Sequence, residues 1–252
     1  MINSETDSLV SPVAIVTGAS RGIGLDIATH LASLGWSLLL HSSTQTRDVL
    51  EDLCTSLVVS NDDQKHHFMN SDLYEGASSI AETAFRHFGR IDALVNNAGI
   101  LADKGFEDVD IDEVENVFRI NTFAPYLLSR DCFRLMQDSG GGSIVNISSF
   151  TVKYAMGRNT TIHYAASKAA LEIMSEGFAR AGAKFNIRSN CIRPGIILTD
   201  QQSMRSDLAS RVNMIPLGRM TTTKEIAAMV GFLLGPESAA TTGQTITISG
   251  GE

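Results

Sequence analysis

The stretch "TGASRGIG", Thr17–Gly24, follows the apolar run Val13 to Thr17 and leads straight into "IGLDIATHLASL", whose apolar residues recur at helical spacing. Strand, glycine turn and helix in that order decide the fold. Gly18 permits a tight turn, Gly22 lets backbone approach a pyrophosphate, and Gly24 lets helix and strand pack closely. The first helical turn offers unpaired N–H groups to an anion, and Ser20, Arg21 and Ile23 complete the expected binding loop.

Outward from that turn, strand-like runs recur at Ser37 to Leu40, His66 to Met69, Ala93 to Asn96, Ser143 to Ile147, Arg188 to Ile192 and Thr245 to Ile248. Helical periodicity fills the gaps, at Ile23 to Leu34, Arg47 to Leu57, Ile80 to Phe88, Glu113 to Met136, Tyr164 to Ala181 and Lys224 to Leu234. The alternation, with no repeat, linker or charge block, predicts a single-domain α/β Rossmann fold over residues 1–252: a doubly wound, seven-stranded parallel sheet with helices on both faces. Thr222 and Glu225 read as a capping box opening the last helix. The first eleven residues are expected to be flexible, and residues 196–217, with apolar positions scattered among polar ones, to form a substrate lid.

The chain of 252 residues carries 28 acidic against 20 basic side chains, a net charge of −8. Such a surface repels nucleic acid and anionic membranes, which leaves a small molecule as the expected partner. Cys54, Cys132 and Cys191 are widely spaced and odd in number, so a reducing compartment is expected rather than a disulfide framework. The opening "MINSETDSLVS" lacks the pattern of a signal peptide, and no apolar run is long enough to span a bilayer, which predicts a soluble, cytoplasmic protein. His66 and His67 point to opposite faces of a strand with no third ligand, so no metal site is expected.

Where the second strand ends, folds that prefer NAD place an acid for the adenosine ribose. This chain reads "HSST" there; Ser42 and Ser43 bring no charge, and Arg21 offers a cation to a 2′-phosphate. NADP(H) is therefore favoured over NAD(H).

Further along, "HYAASK" puts Tyr164 and Lys168 one helical turn apart on one face. An ammonium that close is expected to lower a phenol's pKa by about 1–3 and make it a usable proton donor. Four signals now stand in order: "TGASRGIG", "NNAG" (Asn96 to Gly99), "NISS" (Asn146 to Ser149) and "YAASK". Together they resemble the short-chain dehydrogenase/reductase family from Val13 to Gly251, and "SIVNISS" and "GQTITISGG" resemble its 3-oxoacyl-(acyl-carrier-protein) reductase branch.

The resemblance implies that Tyr164 is the general acid in reduction and the base in oxidation. By the same resemblance Lys168 holds the nicotinamide ribose, Ser149 polarises the substrate carbonyl, and Asn121 positions a water in the proton relay, with Ser148 structural. For the cofactor it implies Asp72 and Leu73 at the adenine, Asn97, Ala98 and Gly99 on the adenosine side, and Pro194, Gly195, Ile197 and Thr199 at the carboxamide. It also implies a homotetramer, or a dimer, built on the helices at Glu113 to Met136 and Tyr164 to Ala181. Arg193 departs from the small residue often found at its position and is expected to alter the cofactor's surroundings.

The pocket wall is expected to come from Phe150, Tyr154, Met156, Ile196 and Met204, with Arg158 facing an anionic group. A 3-oxoacyl thioester fits the resemblance, but an acidic acyl carrier would need a basic docking face, and only Arg130 and Arg134 stand near the helix end leading to the fifth strand. A free small ketone, or a polyol, sugar or steroid-type alcohol handled with NAD, is the rival substrate class. A regulatory protein that kept the fold but lost its chemistry is the non-enzyme alternative, and it typically shows a broken Tyr–Lys pair or glycine loop; neither is broken here.

Overall fold

The computed structural model describes residues 11–101, 104–154, 162–197 and 212–252, without the side chain of Tyr154. The N-terminal residues 1–10, most of the expected lid (198–211), and Met156, Arg158, Thr199 and Met204 lie outside them.

Seven parallel strands form one sheet: β1 (Val13–Thr17), β2 (Ser37–Ser42), β3 (His66–Asn70), β4 (Ala93–Asn96), β5 (Gly142–Ile147), β6 (Ile187–Pro194) and β7 (Thr245–Ile248), in the order 3-2-1-4-5-6-7. The helices are α1 (Gly22–Ser33), α2 (Arg47–Ser56), α3 (Ala77–Phe88), α4 (Ile111–Phe118), α5 (Ala124–Asp138), α6 (Thr151–Tyr154), α7 (Ile162–Gly182) and α8 (Thr223–Leu234). This is the doubly wound α/β fold. The order reverses between β1 and β4, which opens a crevice at the carboxyl ends of those strands.

Every residue of β1 is buried because helices cover both faces of the sheet. Alternate side chains serve opposite cores. Ala14, Val16, Leu38 and Leu40 pack with Ile27 and Leu31 of α1 and Val230 of α8, whereas Ile15, Leu39 and Leu94 pack with Ile80 of α3 and Leu128 of α5. The capping box forms as the residue types predict: Glu225 N–H donates to the Thr222 hydroxyl at 3.3 Å, and Thr222 N–H to the Glu225 carboxylate at 2.8 Å.

Several element bounds differ from expectation: β2 runs to Ser42 rather than Leu40, and α3 starts at Ala77 rather than Ile80. The long helix expected from Glu113 to Met136 is broken by a π turn, Arg119–Phe123, between α4 and α5. Pro125 has no N–H for the Asn121 carbonyl four residues back, so the α-helical ladder cannot continue through it. Strand β6 also runs to Pro194 rather than Ile192, which carries its end into the crevice.

A row of polar side chains crosses the core. Asn96 Nδ2 donates to Ser129 Oγ at 3.0 Å and to Asn146 Oδ1 at 2.8 Å; Asn146 Nδ2 donates to Ser175 Oγ at 3.1 Å, and the hydroxyls of Ser175 and Ser189 meet at 2.8 Å. All five residues are buried.

Candidate active site

At the crevice, a cavity of about 240 Å³ is lined by Asn97 and Gly99 after β4, Ser148 and Ser149 after β5, Tyr164 and Lys168 of α7, Pro194 at the end of β6, and Gly195 and Ile197 after it. Residues expected at four separate sequence positions thus meet in one place. Ile23 at the start of α1 closes the cofactor side, and Ile100, Leu101 and Ile147 add an apolar wall that the sequence reading missed.

The glycine turn is shaped by side chains it lacks. A Cβ on Gly24 would lie 2.1 Å from the Gly18 carbonyl oxygen and 2.5 Å from Asn97 Nδ2, so only glycine lets α1 start this close to β1. Asn97 locks the turn in place: its Nδ2 donates to the carbonyls of Thr17 and Gly18 at 2.9 and 3.1 Å, while the N–H groups of Asn97 and Ala98 both reach Thr17 Oγ1. No acidic residue stands in the first turn of α1. A backbone cradle with free N–H groups and no neutralising carboxylate fits a dinucleotide's pyrophosphate.

The adenosine side is only partly as expected. Ser20 and Ser42 hydroxyls lie 3.2 Å apart, Ser43 is exposed, and Arg21 is exposed at the helix N-cap. Asp72 accepts the N–H groups of Tyr74 and Glu75, both at 2.9 Å, so one of its oxygens organises the turn into α3; Leu73 is buried in the core. His41, unremarked in the sequence, is fully buried beside Ser42, bonds the Ser71 carbonyl at 3.0 Å, and is pushed down to about 4 by burial, so it is neutral at pH 7.

Ser149 is set by α6. The Thr151 hydroxyl donates to Ser149 Oγ at 2.9 Å and the Thr151 N–H approaches it at 3.3 Å, which fills the acceptor side of Ser149 and leaves its own proton for the cavity. That proton meets Tyr164: burial raises the tyrosine pKa, and a hydrogen bond with the Ser149 side chain opposes the rise. The expectation that Lys168 would lower it is not met. Lys168 is itself buried, its ammonium donates to the Ile147 carbonyl at 2.8 Å, and desolvation brings its pKa down to about 8.

Asn121 sits in the π turn with its side chain fully engaged, accepting Ile100 N–H at 2.9 Å and donating to the Ile100 carbonyl at 2.9 Å and Ser167 Oγ at 3.1 Å. A Cβ on Gly99 would lie 3.1 Å from Asn121 Oδ1 and 3.2 Å from Lys168 Nζ, so the "NNAG" turn must be bare there. Ser148, read as structural, lines the cavity and also donates to the Glu172 carboxylate at 2.5 Å.

Two expected substrate residues fall away from the cavity lining. Phe150 is buried and donates its N–H to the Pro194 carbonyl at 3.0 Å, and Ile196 packs in a small cluster with Ile215 and Met220. Among the described residues no helix is long and apolar enough to cross a membrane, and no cluster of His, Cys, Asp and Glu is suited to a metal ion.

Comparison with known proteins agrees with this architecture. A family model described as enoyl-(acyl carrier protein) reductase matches residues 18–252. The acetoacetyl-CoA reductase of Acinetobacter sp. (strain RA3849) is 32% identical over 95% of this chain and 96% of its own length, and the 3-oxoacyl-(acyl-carrier-protein) reductase of Pseudomonas aeruginosa is 34% identical over 97% and 98%. Among solved structures, a blue fluorescent protein from a metagenomic library in complex with NADPH superposes with a TM-score of 0.88 at 32% identity, covering 95% of this chain and 97% of that one. The chain belongs to the short-chain dehydrogenase/reductase family, in its 3-oxoacyl-(acyl-carrier-protein) reductase-like branch, and is an oxidoreductase acting on CH–OH and C=O groups.

Proposed function

We propose that this protein reduces the ketone of a 3-oxoacyl thioester or similar small ketone with NADPH, with Tyr164 as the proton donor. The observation that carries the reading is the Thr151–Ser149–Tyr164 hydrogen-bonded run opening into the same cavity as Lys168. Two adjacent hydroxyl donors suit one oxygen on which negative charge grows. When bound, the nicotinamide supplies the hydride.

The chain's own residues do the rest. Ser149 donates to the carbonyl oxygen, and Tyr164, which burial keeps protonated at neutral pH, transfers its proton to the nascent alkoxide. The resulting phenolate is left on the same cavity that the buried ammonium of Lys168 lines. Gly18, Gly22, Gly24 and the first turn of α1 hold the pyrophosphate, and the Pro194–Gly195 turn bounds the nicotinamide. Uncharged Ser42 with exposed Arg21 supports NADP(H) over NAD(H), as does the similarity to a protein solved with NADPH.

On α5, Arg130 and Arg134 share the one carboxylate of Asp131, at 2.7 and 3.5 Å, which leaves a single net positive charge there for a strongly acidic carrier. That favours a coenzyme A thioester or free ketone. The test is NADPH oxidation with acetoacetyl-CoA: Tyr164→Phe is expected to lower kcat by about 100- to 10,000-fold, and turnover that survives the substitution overturns the assignment. Exposed Phe123, Tyr126 and Ile173 on the π turn, α5 and α7 support a homotetramer, which light scattering at monomer mass would contradict.

A further inference from the structure

Behind the cavity, one buried carboxylate joins three segments. Glu172 stands on α7 one turn beyond Lys168 and is only 5% exposed. Its Oε1 accepts the Ser148 hydroxyl at 2.5 Å and Arg193 Nε at 2.7 Å, and its Oε2 accepts Arg193 Nη2 at 2.5 Å. Each partner is the chain neighbour of a site residue: Ser148 precedes Ser149, and Arg193 precedes Pro194 and Gly195. A bidentate guanidinium–carboxylate pair fixes angle as well as distance, which a single hydrogen bond does not.

Resting on the proposed reduction, we infer that Glu172 and Arg193 are positioning residues, a buried clamp that holds the catalytic serine, the Tyr164–Lys168 helix and the nicotinamide-side turn in mutual register. Other direct bonds join the same segments pairwise: Lys168 donates to the Ile147 carbonyl at 2.8 Å, and β5 meets β6 through Ser148 N–H to the Ile192 carbonyl at 2.8 Å and Phe150 N–H to the Pro194 carbonyl at 3.0 Å. The clamp adds to them a side-chain tie from one residue of α7 to both strand ends at once. The other ionisable neighbours are Cys191 of β6, which burial pushes up to about 12, and Lys168 itself, so Arg193 is the cation that directly pairs with the carboxylate.

Stability and positioning separate in one pair of variants. Arg193→Met leaves a buried carboxylate with a hydroxyl alone and is expected to lower Tm, whereas the double variant Glu172→Met with Arg193→Met replaces the pair by apolar side chains and is expected to keep a Tm near that of the wild type. The double variant nevertheless removes the side-chain tie of Ser148 and of the residue before Pro194 to α7. Its kcat with NADPH and acetoacetyl-CoA is expected to fall about 10- to 100-fold, and the nicotinamide emission of bound NADPH to change. Wild-type kcat and emission in the stable double variant overturn the clamp. A wild-type enzyme that leaves acetoacetyl-CoA untouched overturns the proposed reaction instead, and the emission comparison still decides the clamp.

Discussion

The turn after β1 and the ends of β5 and β6 stand at the same edge of the sheet, yet they are shaped by opposite means. Around "TGASRGIG" the surface is backbone, and what matters is the side chain that is missing: a Cβ at Gly24 would sit 2.1 Å from a carbonyl oxygen. Around Ser149, Tyr164 and Lys168 the surface is built from buried and half-buried polar side chains, several of them oriented by a neighbouring group: Thr151 for Ser149, the Ile147 carbonyl for Lys168, Arg193 for Glu172. Steric exclusion tolerates no substitution but is indifferent to protonation. Polar orientation tolerates isosteric change but depends on every donor keeping its acceptor.

Breaking the first region has the larger expected effect. Gly24→Ala forces α1 away from β1 and Asn97, which is expected to weaken NADPH binding more than about 100-fold and to lower Tm by several degrees, since overpacking costs about 1–3 kcal/mol. Fluorescence titration with NADPH and a thermal melt check both, and a variant that binds as the wild type does would show that the close approach is not needed. In the second region, Thr151→Val removes one neutral donor while keeping the shape. It is expected to lower kcat about 10-fold with little change in KM, the worth of one hydrogen bond near 1 kcal/mol, and Thr151→Ser is expected to restore it. Equal kcat and KM effects, or no rescue by serine, would mean that Ser149 is oriented by something else.

The two regions also differed in how far the residue types alone revealed them. The glycine turn, the parallel sheet and the Tyr164–Lys168 pair followed from spacing, because backbone geometry repeats with residue pattern, whereas Ser149 came from the family resemblance. Strand ends were less visible: β2 and β6 each extend two residues past the apolar run, where His41, Ser42, Arg193 and Pro194 are polar or ring-locked yet buried or partly buried. The π turn had a signal, Pro125 four residues after Asn121, that periodicity passes over. The direction of the Tyr164 pKa had none. Helical spacing brings an ammonium near a phenol, but only the packing shows that both are desolvated, and for the phenol burial outweighs the Ser149 hydrogen bond. Glu172 and Arg193 are 21 residues apart on different elements, and no local pattern pairs them. Phe150 and Ile196 were placed on the pocket wall by their apolar character, which equally well sends a side chain inward.

The polar row through Asn96, Asn146, Ser175 and Ser189 has a consequence for assembly of the fold itself. Its members come from β4, β5, α7 and β6, and the links span 50, 29 and 14 residues of chain. A parallel sheet of aliphatic strands has little to distinguish one alignment from the next, because Val, Ile and Leu are nearly interchangeable neighbours. Sliding β5 by a single residue would turn Asn146 to the opposite face and strand amide and hydroxyl groups in a dry interior, at roughly 1–3 kcal/mol for each. Hydrophobic collapse can bring these strands together in many ways; this row rejects all but one.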